Sequence, residues 1–254
     1  MLTNPTIDKL HSLRLAGMAR ALEEQLQNPS FEELGFTERL GMLIDREGID
    51  RDNRLVGRRL KRARLRQTAT IEDVDFRARR GLDKALVLQL ASCRWIEERM
   101  NVLITGPTGA GKSFLGCAFA QKACREGHSV LYVRLPRLLA ELAGARGDGR
   151  YPKLLASLAR TSLLVLDDWG LGPLTDSQRH DLLEILEDRY KRVSTLVTSQ
   201  LPVAKWHDAL GDPTLADAIL DRLVHNAHKI EFKREAESMR KKENSPTRPE
   251  DVPS

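Results

Sequence analysis

The sequence predicts an α/β protein in which an all-helical N-terminal domain precedes a five-stranded, mostly parallel sheet. Five short apolar runs follow residue 101, and segments long enough to form helices separate them. A glycine-rich loop follows the first run, and no β-like alternation appears before residue 68. Near-continuous apolar runs between helices are typical of parallel strands that are buried on both faces.

The N-terminal domain is predicted to span residues 1–68 and to consist of helices. Its first long helix has one apolar face, because apolar residues recur at intervals of 3, 4 and 4 positions: Leu15, Met18, Leu22 and Leu26. Asn28-Pro29 ends that helix, and residues 30–33 have the form of a capping box that begins the next one. Residues 69–80 mix polar and apolar side chains and are predicted to form a linker.

The second domain is predicted to span residues 81–242. A helix at about residues 83–99 leads into it. The predicted strands then cover residues 102–105, 130–133, 163–168, 195–199 and 229–232. Residues 243–254 are rich in proline, serine and charge, which is typical of a disordered tail.

Composition excludes several classes of protein. Apolar residues make up 41% of the 254 residues and aromatic residues 5%, as is usual for a soluble α/β or all-α protein. The three cysteines lack metal-ligand spacing, and their odd number favours a reducing compartment. No signal peptide is recognisable, and no run approaches the ~20 apolar residues that span a bilayer. These features predict a cytoplasmic protein with no membrane association.

The glycine-rich loop after the first predicted strand matches a phosphate-binding motif. Residues 106–113 fit GxxxxGK[ST] in full, between a predicted strand and a predicted helix. The glycines let successive backbone N–H groups turn inward around phosphates, and Lys112 would reach the β- and γ-phosphates. Ser113 would coordinate Mg²⁺. ATP with Mg²⁺ is therefore predicted, with nucleotide contacts from Gly106, Pro107, Thr108, Gly109, Ala110, Gly111, Lys112, Ser113 and Phe114.

Two consecutive acids, Asp167 and Asp168, end the third predicted strand. Four apolar residues precede them, so the strand is expected to be buried and to deliver both acids to the edge of the sheet where ligands bind. Asp167 is predicted to act on Mg²⁺ through water, and Asp168 to orient and deprotonate the attacking water. Gln200 follows the fourth predicted strand. If that strand lies between the other two, its amide would contact both the γ-phosphate and the attacking water.

A basic stretch lies near the end of the predicted helical domain. Residues 51–66 contain eight lysines and arginines against one acid. A helix would align five arginines in one stripe: Arg51, Arg54, Arg58, Arg62 and Arg66. Like charges at this spacing repel one another unless a polyanion neutralises them, which favours nucleic acid. The alternative is a solvated face, or arginines that pair with acids elsewhere in the fold.

The predicted DNA contacts are these five arginines together with Arg59 and Lys61. No zinc-finger motif, RNA-binding motif or aromatic interleaving accompanies them. Recognition of double-stranded DNA is therefore predicted to depend on its backbone and shape, and to be largely independent of sequence.

These segments together resemble a known family. GPTGAGKS, LLVLDDWG, the stretch from TLVTSQLP to LDRLVHNA and the final SMRK are similar to IstB-type transposition helper ATPases of bacterial insertion sequences, AAA+ proteins related to the DnaC helicase loaders. The resemblance covers about residues 5–242. It implies a Walker A motif at residues 106–113, a Walker B motif at Asp167 and Asp168, and a short C-terminal helical lid.

The resemblance also implies roles for three further residues. Gln200 matches sensor 1, Arg240 matches sensor 2, and Arg222 matches an arginine finger that completes the site of a neighbouring subunit. Either arginine taken alone has the pattern of a surface charge. Asp168 departs from the wider AAA+ pattern, in which glutamate is usual, and its shorter carboxylate predicts slow hydrolysis suited to a timing switch.

The predicted function is therefore that of an ATP-dependent DNA-binding helper of transposition. The chain is expected to form a homo-oligomer on target DNA and to regulate a partner transposase, with ATP hydrolysis controlling assembly and disassembly. The main alternative is a DnaC-like replicative helicase loader. A P-loop kinase would need an acceptor site and a mobile lid, and a binding module without hydrolysis would tolerate Asp168→Asn.

Overall fold

The computed structural model describes residues 5–76 and 81–233. By its internal contacts the chain divides after Arg58 into a helical first unit and a second unit that contains the sheet. The predicted boundary near residue 68 lies farther along the chain. The reason for the difference is burial, because Ala63, Ala69 and Ile71 belong to the core of the second unit.

The first unit is built from helices. They are α1 (Pro5–Ser12), α2 (Ala16–Gln27) and the first part of α3 (Phe36–Ala63), with a short 3-10 helix (Pro29–Glu33) between α2 and α3. Residues 30–33 therefore do not begin the long helix as predicted. The Asn28 side chain caps the 3-10 helix by accepting a hydrogen bond from the backbone N–H of Ser30.

Glu47 of α3 is buried and holds α2 in place. Its carboxylate accepts hydrogen bonds from the backbone N–H groups of Gly17 at 2.8 Å and Met18 at 3.4 Å. It also accepts from Arg51 at 2.7 Å and Arg54 at 3.1 Å. The hydrogen bond from Arg51 is the largest cause that lowers the pKa of Glu47, and the two backbone donors add to it.

The second unit alternates helices with strands of one sheet. Its helices are α4 (Lys84–Ala91), α5 (Arg94–Glu97), α6 (Lys112–Arg125), α7 (Leu135–Gly147), α8 (Tyr151–Arg160), α9 (Asp176–Arg189), α10 (Trp206–Leu210) and α11 (Pro213–Val224), with a 3-10 turn at Val203–Lys205. Its strands are β1 (Asn101–Thr105), β2 (Val130–Arg134), β3 (Leu163–Trp169), β4 (Ser194–Ser199) and β5 (Ala227–Glu231). The single helix predicted at residues 83–99 is two helices, because Cys93 adopts a left-handed backbone with φ of 61°.

The strand order is β2-β3-β4-β1-β5, and every neighbouring pair is parallel. All residues of β1 and β4 are buried, as the apolar runs predict. One buried cluster joins α4 and α6 to the sheet, and a second joins α7, α8, α9 and α11 to it. The predicted α/β fold with a five-stranded sheet is confirmed, and β4 separates β1 from β3.

The predicted helical lid, Arg240 and the predicted tail all follow Lys233 and lie outside the described residues. None of the described helices is long and apolar enough to cross a membrane.

Candidate nucleotide-binding site

The glycine-rich loop connects β1 to α6 at the carboxyl ends of the strands. Gly106 has a φ of 145°, and a Cβ at this position would lie 2.6 Å from Cβ of Phe232, so no larger residue fits. Gly111 precedes α6 with a φ of 104° and provides no side-chain cap. The first amide groups of α6 are therefore free of a side-chain acceptor, which suits them to an anion such as phosphate.

Lys112 begins α6 and is only 8% exposed. Its Nζ donates a hydrogen bond to the carbonyl oxygen of Pro107 at 2.8 Å, across the loop. Burial lowers its pKa, and the nearby charges of Asp167 and Asp168 oppose that shift. The ammonium group is thus already positioned inside the loop that would surround the phosphates.

Asp167 is 1% exposed and accepts hydrogen bonds from three hydroxyl groups. Ser113 Oγ lies 2.9 and 3.1 Å from its two carboxylate oxygens. Thr198 of β4 and Tyr132 of β2 donate to the same carboxylate. Because β2 and β4 are the two neighbours of β3, the sheet itself brings these donors to the acid.

Arg66 also contacts this carboxylate. Its Nη1 lies 3.4 Å from Asp167 Oδ2, and its pKa is raised, first by a hydrogen bond with Tyr132. The prediction that Arg66 continues a helical stripe is therefore wrong. Helix α3 ends at Ala63, and Arg64 follows in a left-handed conformation with φ of 53°, so Arg66 is not aligned with the helical arginines.

Asp168 faces a different partner from Asp167. It has a left-handed backbone with φ of 64°, at an irregularity where the register of β3 with β4 shifts. Its carboxylate pairs with Arg134 at the end of β2. The two consecutive acids thus belong to separate networks of hydrogen bonds and ion pairs. A regular strand would also place consecutive side chains on opposite faces, so this separation does not depend on the irregularity.

Gln200 follows β4, which lies between β1 and β3 as its predicted role requires. Its side-chain oxygen accepts a hydrogen bond of 2.8 Å from the Thr108 hydroxyl. Gln200 therefore contacts the glycine-rich loop directly. Phe114, also predicted to contact nucleotide, is half-buried and packs against the core cluster that contains α6.

Arg222 lies at the opposite end of the sheet from the glycine-rich loop. Asn101, the first residue of β1, donates hydrogen bonds to the backbone oxygens of Arg222 at 3.1 Å and of Leu223 at 3.2 Å. The guanidinium of Arg222 pairs with Glu187 and lies 5.9 Å from the centre of the Tyr190 ring. The structure does not bring Arg222 to the loop of its own chain.

The basic residues of α3 differ in their surroundings. Arg51 and Arg54 pair with Glu47, and neither Arg58 nor Arg62 pairs with an acid in the part of the chain that the structure describes. Within the first unit, a cleft of about 550 Å³ is lined by Arg14, Arg51, Arg54, Leu55 and Arg58. Arg14, which the sequence pattern did not indicate, adds a fourth guanidinium to this surface.

Two other predicted DNA contacts, Arg59 and Lys61, lie near the end of α3. Arg59 is half-buried, and a Cβ on Gly127 would lie 3.9 Å from its Nη2. Lys61 is exposed. Arg59 is thus less available to a polyanion than its neighbours on the helix.

The oxygens at the site fit Mg²⁺. Ser113 and Asp167 together present a hydroxyl and a carboxylate, and Mg²⁺ prefers oxygen ligands and usually takes the remainder from phosphates and water. No cluster of three or more His, Cys, Asp or Glu residues suited to a metal occurs within residues 5–76 and 81–233. The structure therefore offers a partial ligand set that a nucleotide would complete.

The fold and this site define a P-loop nucleotide-binding protein of the AAA+ class. Its sheet carries the glycine-rich loop after β1, the acids after β3 and a polar residue after the strand between them. The chain belongs to the family of IstB-like ATP binding proteins, whose model matches residues 8–247.

Known proteins agree with this assignment. The chain is 55% identical over 236 residues to y4pL of Sinorhizobium fredii (strain NBRC 101917 / NGR234), named as an insertion sequence ATP-binding protein, covering 93% of this chain and 96% of that protein. The crystal structure of DnaI aligns with a TM-score of 0.57 and 24% identity, covering 66% of this chain and 92% of that one. The DnaC helicase loader aligns with a TM-score of 0.53 and 20% identity, covering 65% and 97%. These structural likenesses show the fold alone.

Several residues at the site were not predicted from the sequence to belong there: Tyr132, Arg134, Thr198 and Arg66. The first three lie on β2 and β4, the two strands that flank β3 and its acids. Knowledge of the strand order would have indicated them, but the apolar pattern of the sequence does not predict that order. The position of Arg66 depends on how the chain folds after α3, for which the sequence offers no signal.

Proposed function

We propose that this protein binds ATP with Mg²⁺ and hydrolyses it. The observation that carries this proposal is the contact between Ser113 of the P-loop and Asp167 of β3, at 2.9 and 3.1 Å. In P-loop enzymes the equivalent hydroxyl and carboxylate are the protein groups that hold a nucleotide-bound Mg²⁺. Residues 106–113 would surround the phosphates, with Lys112 on the β- and γ-phosphates.

Hydrolysis would depend on Asp168 and Gln200. Asp168 would orient and deprotonate the attacking water, and Gln200 would contact the γ-phosphate from the end of the intervening strand. Bound Mg²⁺ supplies positive charge that stabilises the transferred phosphoryl group. The short side chain of Asp168 and its ion pair with Arg134 favour slow turnover, as expected of a timing switch.

The complete site would form between subunits. Arg222 lies at the end of β1 that is remote from its own P-loop, which supports a role for its cation at the nucleotide of an adjacent copy. An arginine supplied in trans stabilises the transition state of phosphoryl transfer. ATP would therefore promote assembly of a homo-oligomer. Arg240 would act as sensor 2, by the family resemblance.

The partner would be double-stranded DNA, bound largely without regard to sequence. The arginine-lined cleft of the first unit supports this, together with exposed Lys61 and Arg62 farther along α3. Relatives such as y4pL are named for insertion sequences, which supports a role beside a transposase. Assembly on target DNA, timed by hydrolysis, would then regulate that transposase.

The nucleotide proposal is tested with Asp167→Asn and a matched Asp208→Asn control, in which the replaced carboxylate is 91% exposed. Binding of a fluorescent ATP analogue is measured with Mg²⁺ and with EDTA, and phosphate release is measured in parallel. Asp167→Asn should lose the Mg²⁺-dependent part of binding and hydrolysis, whereas Asp208→Asn should behave as wild type. Equal loss in both variants, or in neither, would contradict the assigned site.

The DNA proposal is tested by charge reversal at Arg58 and Arg62, with Arg94→Glu as the control on an exposed arginine of the second unit. The slope of log affinity against log salt should become shallower by about 0.9 for each DNA phosphate that the variant no longer neutralises. Unchanged slopes would remove α3 from the DNA surface.

Capture of the chain by a replicative helicase, and not by a transposase of the same insertion sequence, would favour the helicase-loader alternative.

A further inference from the structure

The segment after α3 is attached to the helix that carries the P-loop lysine. Ala69 and Ile71 are buried in the same cluster as Leu115 and Phe119 of α6, and Leu65 packs against that cluster. Glu72 of the segment also forms an ion pair of 3.2 Å with Arg125, the last residue of α6. Residues 64–76 are therefore tied to α6 by a shared apolar cluster and by an ion pair at its last residue.

Within this segment, Arg66 extends to the buried acid of the nucleotide site. In the described parts of the chain it is the one cation within ion-pair distance of Asp167, since Lys112 Nζ is hydrogen-bonded to Pro107 instead. A carboxylate that is 1% exposed is costly to bury without a counter-charge. The Arg66 side chain is 46% exposed, so it has an open path toward solvent.

Arg66 and a nucleotide-bound Mg²⁺ would both interact with the Asp167 carboxylate. Mg²⁺ beside Ser113 would bring positive charge to the two Asp167 oxygens, and Arg66 already contacts Oδ2. Two cations close to one carboxylate repel one another, so binding of either one weakens binding of the other. By linkage, this effect is reciprocal.

We propose that Arg66 is a built-in counter-cation of Asp167 that competes with nucleotide-bound Mg²⁺, so that metal binding releases Arg66 and loosens the segment after α3. This inference rests on the ATP site proposed above and adds a regulatory residue to it. It also removes Arg66 from the set of DNA contacts. The exchange replaces the hydrogen-bonded ion pair of Arg66 with the metal ion, and no covalent bond is made or broken.

The test uses the full chain with three substitutions: Arg66→Ala, Arg66→Lys and Arg125→Ala. Arg125→Ala is the matched control, because it removes the other ion pair of the same segment without touching Asp167. Affinity for a fluorescent ATP analogue is measured across a Mg²⁺ titration, and the half-saturating Mg²⁺ concentration is the readout. Circular dichroism establishes that each variant is folded.

Arg66→Ala should lower the half-saturating Mg²⁺ concentration several-fold, while Arg66→Lys and Arg125→Ala should stay close to wild type. An unchanged or raised Mg²⁺ requirement in Arg66→Ala would overturn the competition. A similar fall in Arg125→Ala would also overturn it, because the effect would then come from loosening of the segment alone. If wild type shows no Mg²⁺-dependent nucleotide binding, the ATP site itself is wrong, and that outcome differs from every result in which wild type responds.

Discussion

The side chain of Asn101 is hydrogen-bonded to the backbone oxygen of Arg222 at 3.1 Å, at the start of the strand whose other end leads into the P-loop. Strand β1 is five residues long, so Asn101 and the start of the P-loop are separated by about 15 Å of extended chain. Arg222 is therefore too distant to touch phosphates bound by its own loop. The proposed role of Arg222 at a nucleotide therefore requires a second copy of the chain.

Mixing two inactive variants tests whether Arg222 acts between subunits. Lys112→Ala retains the arginine but not the loop lysine, and Arg222→Ala retains the loop but not the arginine. Each alone should lose most hydrolysis, by about 10³-fold or more for the arginine. In an equal mixture, about a quarter of the interfaces should combine an intact loop with an intact arginine, so activity should reappear.

Steady-state phosphate release measures this recovery, and Glu187→Ala serves as a further variant. Loss of Glu187 removes one of the two ion pairs of Arg222, the other being with Asp221, and should not abolish hydrolysis. Activity that stays absent in the mixture would argue that Arg222 acts within one chain. Hydrolysis that persists in Arg222→Ala alone would show that it has no role.

Arg134 is expected to restrain the base for hydrolysis. Because its guanidinium pairs with Asp168, Arg134→Ala should free that carboxylate and raise kcat several-fold with little change in KM. Asp168→Asn should abolish hydrolysis and leave ATP binding intact, since Asp167 and Ser113 remain. Single-turnover measurements separate these effects, and a fall in kcat in Arg134→Ala would instead mean that the ion pair positions the acid productively.

The first unit should lose stability in acid because of Glu47. Its pKa is lowered from the usual 4.5 in the folded chain, so the stabilisation is fully present above pH 4.5 and disappears as the pH falls through the folded-state value. Glu47→Gln should remove this dependence and cost roughly 1–3 kcal/mol of unfolding free energy. Denaturant unfolding followed by circular dichroism, from about pH 3 to about pH 6, measures both effects. Glu32→Gln, at an exposed acid, is the control.

Any side chain at Gly17 should destabilise the contact between α2 and α3. A Cβ there would lie 2.8 Å from the Cα of Glu47 and 2.9 Å from the backbone oxygen of Arg46, neither of which is a flexible side-chain end. Gly17→Ala should therefore destabilise the first unit by about 1–3 kcal/mol, despite the higher helix propensity of alanine. Gly48→Ala, at a helical glycine with no atom within 4 Å of the added Cβ, should be neutral or stabilising by comparison.

Much of this architecture follows from the sequence. The apolar runs predict the strands to within about two residues, because strands buried on both faces contain little else. Gly106 and Ser113 are recognisable because the loop chemistry requires their residue types at a fixed spacing. Arg66 shows where such reasoning fails, because four-residue spacing predicts a helical stripe only while the helix continues. Nothing in the spacing marks Ala63 as the last residue of α3.

The position of β4 between β1 and β3 has a consequence for synthesis of the protein. The ribosome completes both nucleotide motifs by Asp168, yet the strands that carry them are not neighbours and lie about 10 Å apart with a gap of one strand between them. A nascent chain that ends before Ser194 therefore contains the P-loop and the acid but not Thr198, which joins the acid to the centre of the sheet. The site can therefore be complete only after β4 has been synthesised. A frameshift between Asp168 and Ser194 would leave both motifs intact and still prevent the site from forming.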